Sequence, residues 1–187
     1  MLALTAAQLG HTVTALDLAP AMLTRLPASA AKDHVTVATI NAHADEPPPG
    51  PWDVVMSRHL LWTLPDPAAA LRASRAVAPT GQLLTVESLW GNAEDPIERT
   101  RVRMAGWLWQ IRGTGHGHNG HYDQPMREQL PLATGATPHA YLDTVTTSGW
   151  PWPRIQRLSD VEWAMSQGQP LPDRLLGVNT IFAIAAG

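Results

Sequence analysis

Apolar and polar positions follow two rhythms along this chain, one of period two and one near 3.6. Residues 2–9, "LALTAAQL", have helical spacing and stop at Gly10, a residue suited to the left-handed position after a helix. "HTVTALD" (11–17) is apolar at Val13, Ala15 and Leu16 and reads as a strand ending on Asp17. Pro20 then opens a short helix carrying Met22, Leu23 and Leu26. "HVTVATI" (34–40) is a second strand, and "NAHADEPPPGP" (41–51) is a proline-rich loop. "WDVVMSR" (52–58) has a continuous apolar centre, which suits a parallel strand covered on both faces.

The strongest helix signal is "LPDPAAALRASRAVAPTG" (64–81). Asp66 is a good N-cap, Pro67 a good first-turn residue, and Pro79 to Gly81 stop the helix. "QLLTVESLW" (82–90) is the next strand. Strands alternating with helices over short links predict an α/β protein with a doubly wound parallel sheet. From Gly91 the pattern changes. Asp95–Pro96 starts a helix with Ile97, Met104, Leu108 and Ile111 on one face, ending near Gly113. "GTGHGHNGHYDQP" (113–125) is an irregular glycine- and histidine-rich loop. Thr137–Pro138 opens a further helix that stops at Ser148–Gly149. The runs "RIQRLSDVEWAM" (154–165) and "NTIFAIAAG" (179–187) are strand-like and suit an antiparallel pair. With no internal repeat and no interdomain linker, residues 1–187 read as a single domain.

Composition narrows the class of function. The chain has 187 residues, 44% of them hydrophobic, and a formal net charge of −3. That length supports one domain with its own core. The absence of a basic run argues against nucleic acid, and no apolar stretch approaches the roughly 20 residues of a membrane span. There is no cysteine, so no disulfide framework and no thiolate metal site. This fits a cytoplasmic protein, as does an N-terminus without signal-peptide character. The 17 prolines and 8 tryptophans beside one phenylalanine fit the composition of a GC-rich bacterial genome and decide little else.

The order of these pieces resembles a class I S-adenosylmethionine-dependent methyltransferase. The resemblance rests on "LGHTVTALDLAPAML", "PWDVVMSRHLLWTLPDPAAALRASRAVAPTGQLLTVES" and the terminal "NTIFAIAAG". It is closest over residues 2–90 and looser over 91–150. It implies a Rossmann-like three-layer sandwich with strand order 3-2-1-4-5-7-6 and an antiparallel strand seven. Residues 91–150 then become a helical lid, or substrate insertion, after strand five. S-adenosylmethionine is the implied cofactor, held at the carboxyl ends of the strands. In that frame the chain begins inside the first helix, so the first strand and the glycine-rich turn after it are missing. Two expectations follow. Either the natural polypeptide starts upstream of Met1, or a short protein closes up its sheet or takes a partner strand, with exposed surface favouring homo-oligomers.

The resemblance also points to residues. Asp17 would accept the ribose hydroxyls, with capping of the next helix as the alternative. Leu18 would lie against the adenine, and Met22 beside it or in the core. His43 and Ala44 align with the segment at the adenine edge. Ser57 and Arg58 would meet the amino-acid end of the cofactor, where Arg58 could pair with a carboxylate. His59 is the candidate general base, because its ordinary pKa is near neutrality. In the lid, His121 is a second catalytic candidate. Trp62, Trp107 and Tyr122 would line a pocket for a flat small-molecule substrate. His116, His118 and His121 are close enough in sequence to suggest zinc or nickel, but the glycines around them favour a plain loop over a metal site.

Two other functions compete. A nicotinamide-dependent oxidoreductase shares the acidic residue after its second strand, but no tyrosine–lysine pair is evident. A non-catalytic methyltransferase-like subunit would bind a partner through the open sheet.

Overall fold

The computed structural model describes residues 2–89, 100, 129–133, 136–169 and 180–187. Helix α1 (Leu2–Gln8) ends as its sequence predicts. Gly10 sits at φ 89°, its N–H donates to the Ala7 carbonyl, and the His11 N–H donates back to Ala6. This paired closure satisfies two carbonyls that the last turn leaves open. The chain then forms β1 (Val13–Asp17), α2 (Pro20–Lys32) and β2 (Val37–Asn41). β1 and β2 pair in parallel, with Val13 opposite Val37 and Asp17 opposite Asn41. A small core forms where Leu4 of α1, Ala30 of α2 and Val37 of β2 meet.

The second unit of sheet is larger. It is built from β3 (Val54–Arg58), β4 (Gln82–Ser88), β5 (Arg154–Arg157) and β6 (Ile181–Ala186), in the order β3-β4-β6-β5. β3 and β4 are parallel, and β6 runs antiparallel to both β4 and β5. A single 3-10 turn (Leu61–Thr63) and helix α3 (Pro67–Val77) join β3 to β4. Asp66 caps α3, its Oδ1 accepting from Ala69 N at 2.8 Å. Helices α4 (Pro138–Thr147) and α5 (Ser159–Gln167) flank β5 in the chain. The main core gathers Leu61, Leu71, Leu83, Tyr141, Val145, Trp150, Phe182 and Ile184.

The described strands form two separate sheets, β2-β1 and β3-β4-β6-β5, and each matches a stretch of the expected order 3-2-1-4-5-7-6. β1 and β3 each have one strand partner among the described residues. The expectation that β3 is covered on both faces is corrected by the exposure of its side chains. Alternate side chains point to opposite faces. Val55 packs on the main core, whereas Val54 and Met56 stay exposed at 48% and 37%.

Two further expectations change. Of the run 154–165, only Arg154–Arg157 is strand, while Ser159–Gln167 is helix. The reason lies at Glu162, which is largely buried. It accepts both Nε and Nη2 of Arg157 and the backbone N–H of Ile181 at 2.8 Å, tying the helix to β5 and β6. The antiparallel pairing of the two end strands stands. The last part of the 91–150 segment, moreover, belongs to the main core and not to a lid. Tyr141, Val145 and Trp150 are almost fully buried, and the Trp150 indole N–H donates to the Leu71 carbonyl at 3.0 Å.

Candidate functional site

β1 runs parallel to β2 and β3 to β4, and Asp17, Leu18, His43, Ala44, Ser57, Arg58 and His59 lie at or just after the carboxyl ends of these strands. Asp17 is the last residue of β1. Its Oδ1 accepts from Ala19 N at 2.8 Å, which shapes the turn into α2. That is the capping role in part: Ala19 is the N-cap residue, and Asp17 orders its N–H from two positions back. The other carboxylate oxygen has no hydrogen-bond partner among the described residues. Asn41, opposite Asp17 on β2, donates its Nδ2 to the carbonyls of both Asp17 and Leu18 at 2.9 Å. The β1–α2 turn is thus held from both sides. Leu18 and Met22 are 59% and 56% exposed, so an apolar surface lies beside the carboxylate. His43 is exposed and Ala44 half-buried, in a turn closed by Glu46 N donating to the His43 carbonyl.

At the ends of β3 and β4 the structure brings together a second group. Ser57 lies opposite Thr85 and donates its hydroxyl to Thr85 Oγ1 at 2.8 Å, so it points to the inner face of the sheet. Thr85 donates in turn to Glu87 Oε1. The same Glu87 oxygen accepts the backbone N–H groups of Leu60 and Leu61, at 3.2 and 3.1 Å. Glu87 is fully buried, and its Oε2 has no hydrogen-bond partner among the described residues. Burial pushes this carboxyl up from its ordinary 4.5 to about 7, against the lowering effect of the Leu61, Leu60 and Thr85 donors.

Arg58 is exposed at the strand end. His59 follows in the left-handed region, at φ 51°, with its N–H on the Val86 carbonyl. Its Nδ1 lies 3.3 Å from Ser88 Oγ. Burial, and then the neighbouring Arg58 charge, lowers the His59 pKa below 6.5, which favours the neutral imidazole at neutral pH. Trp62 is half-buried and packs against the main core, as a wall and not as a group facing open solvent.

Trp107, His121 and Tyr122 lie outside the described residues, as do His116, His118 and Asp123. Among the described residues, no three metal-ligating side chains converge and no helix is long and apolar enough to cross a membrane. Sequence reasoning missed Asn41, Thr85, Glu87 and Ser88. Glu87 did leave a signal, as the one acid in the strand QLLTVES.

Residues 1–85 match the family model for a methyltransferase domain. No curated protein sequence matches the chain. Among solved structures, it is similar to magnesium protoporphyrin IX methyltransferase from Synechocystis PCC 6803 with bound SAH. The TM-score is 0.58 at 11% identity, covering 99% of this chain and 68% of that one. A geranyl diphosphate methyltransferase in complex with SAM gives a TM-score of 0.56 at 14% identity, covering 95% of this chain and 68% of that one. The cyclase SpnF gives 0.57 at 13% identity, covering 94% of this chain and 66% of that one. The chain therefore spans about two-thirds of the length of these three structures. At such identities the likeness establishes the fold, which is the Rossmann-like fold of the class I S-adenosylmethionine-dependent methyltransferases. The same fold carries different chemistry in the cyclase, so the reaction has to be argued from the site.

Proposed function

We infer, from a chain that carries a methyltransferase domain over residues 1–85 on the fold of class I S-adenosylmethionine-dependent methyltransferases, that its reaction is methyl transfer to a small-molecule acceptor. The observation that carries this reading is Asp17. It ends a parallel strand, keeps one carboxylate oxygen without a partner among the described residues, and stands beside exposed Leu18 and Met22. A carboxylate accepts two neighbouring hydroxyls at once, and charge-assisted hydrogen bonds are the stronger kind. These residues fit the nucleoside end of S-adenosylmethionine. Asp17 would take the ribose hydroxyls, Leu18 and Met22 the adenine face, and His43 and Ala44 its edge. Arg58 and Ser57 belong to the end of β3, where Arg58 is free to reach a carboxylate.

When bound, S-adenosylmethionine supplies a methyl group on a sulfonium that is already a strong electrophile. The chain's own task is then to orient the acceptor and exclude water. The neutral imidazole of His59 suits removal of a proton from an acceptor that must lose one. Trp62, with Trp107, Tyr122 and His121 from the 91–150 segment, supports a flat organic acceptor held against aromatic surface. The test is calorimetric titration of S-adenosylhomocysteine into the full chain. Micromolar binding, weakened about 10- to 100-fold in Asp17→Ala, supports the reading, since a hydrogen bond to a charged group contributes about 1.5–3 kcal/mol. Binding unaffected by Asp17→Ala refutes the site.

The edges of β1 and β3 that have no strand partner among the described residues favour a second reading, a subunit that binds a partner strand without turnover. A folded chain that binds no S-adenosylhomocysteine would select it.

A further inference from the structure

The carboxyl end of β4 grips the turn that carries His59 with three consecutive residues. The Val86 carbonyl accepts from His59 N at 2.9 Å. Glu87 Oε1 accepts from the next two backbone N–H groups, Leu60 and Leu61. Ser88 Oγ meets His59 Nδ1. Between these contacts His59 adopts a left-handed backbone, at φ 51°, that a residue with a β-carbon rarely takes. Such a conformation persists only where its surroundings impose it. An exposed aspartate could supply two acceptor contacts to a turn. A fully buried glutamate whose second oxygen has no partner among the described residues is a costly way to do so, which points to a function for the group.

We propose that Glu87 is a positioning residue: its buried carboxyl clamps the Leu60–Leu61 turn and thereby fixes the direction in which His59 is presented at the end of β3. The ionised carboxyl accepts these N–H groups more strongly than the protonated one. Its midpoint near neutrality makes the strength of the clamp depend on pH. The groups around it do not compete for that proton. Tyr141 of α4 is pushed well above its usual value, by burial and then by the Glu87 charge, and stays neutral. β6 places Phe182 opposite Glu87, and β4 adds the hydroxyl of Thr85. On the turn itself Arg58 is exposed and the His59 pKa is lowered. Arg75 of α3 is engaged elsewhere, on the Ala78 carbonyl and over the Trp150 ring.

The inference rests on the reading that His59 serves methyl transfer, but its test does not need turnover. Backbone amide and histidine side-chain NMR signals of the full chain are followed between about pH 5.5 and about pH 8.5, a window that spans the Glu87 midpoint. His59 is assigned by its loss in His59→Asn. The expected result is a common inflection near neutrality for the Leu60 and Leu61 amides. It should vanish in Glu87→Gln, and the His59 titration midpoint should move. Ser88→Ala should move the His59 midpoint and leave the amide inflection in place. Amides of Leu60 and Leu61 that ignore pH in the unsubstituted chain overturn the proposal, even if Glu87→Gln fails to fold. So does a folded Glu87→Gln chain that loses stability while its His59 titration stays put, which is what a purely structural role predicts. A parallel titration with S-adenosylhomocysteine separates the two claims. Failure to bind removes the functional reading and leaves the amide inflections to decide the clamp.

Discussion

Replacing Glu87 by glutamine should remove one contribution by which the natural chain weakens as pH rises toward neutrality. The glutamate carboxyl is fully buried and raised from its ordinary 4.5 to about 7, chiefly by desolvation. Between those values the folded state holds a proton that the unfolded state has released. Stability therefore falls as pH rises through this window and levels off above about 7. At about 1.4 kcal/mol per pH unit, the loss amounts to about 3 kcal/mol, a large part of a total of roughly 5–15 kcal/mol. Glutamine stays neutral throughout and keeps an oxygen to accept from Leu60 and Leu61. Its amide nitrogen takes the place of the unpartnered Oε2, at a cost of about 1–3 kcal/mol that does not vary with pH. Urea denaturation of both proteins across about pH 5 to about pH 8.5 isolates the effect, because other titrating groups cancel in the difference. The stability of Glu87→Gln relative to the unsubstituted chain should climb by about 2–3 kcal/mol across that range. Parallel curves would show that Glu87 does not titrate differently on folding, and would refute the reasoning.

Other predictions follow from the same contacts. Asn41→Ala removes two hydrogen bonds to the Asp17–Leu18 turn and should weaken S-adenosylhomocysteine binding by less than Asp17→Ala does in calorimetry. Its stability cost should be about 1 kcal/mol, since the contacts are exposed. Trp150→Ala should cost about 3–5 kcal/mol in denaturant titration, because it empties part of the main core and removes the hydrogen bond to the Leu71 carbonyl. Glu162→Ala should cost about 1–3 kcal/mol by leaving the buried Ile181 N–H unpaired, and Glu162→Gln should recover part of that. Asp66→Ala should cost about 1 kcal/mol through loss of the α3 cap.

Much of the local structure was legible in the residues, and for local reasons. Gly10, Pro20, Asp66 and Thr137 each act on neighbours within a few positions. The helix ends they mark are observed where they stand. Asp17 was legible as the acid that ends β1, and Leu18 and Met22 as its apolar surroundings. Asn41 was not, because its partners lie 23 and 24 positions away. Ser57 was read as a group at the mouth of the site. Its hydroxyl turns inward because Thr85, its neighbour on another strand, offers an acceptor.

The division between sequence and tertiary structure runs along the reach of the interactions. Spacing, caps and breakers by themselves determined the succession of strands and helices, since each depends on contacts within one or two turns of chain. They also placed the methyltransferase-like order of elements and the acid at the end of β1. Only the folded chain decided that the described strands form two sheets, in which β1 and β3 each have one strand partner among the described residues. It also decided that α4 joins the core and that residues 159–167 become a helix fastened through Glu162. Only the fold, lastly, buries Glu87 beneath the His59 turn. A carboxyl's environment is set by its neighbours, and those of Glu87 come from elsewhere in the chain: Leu61 donates its N–H to it, Tyr141 feels its charge, and Phe182 lies opposite it on β6.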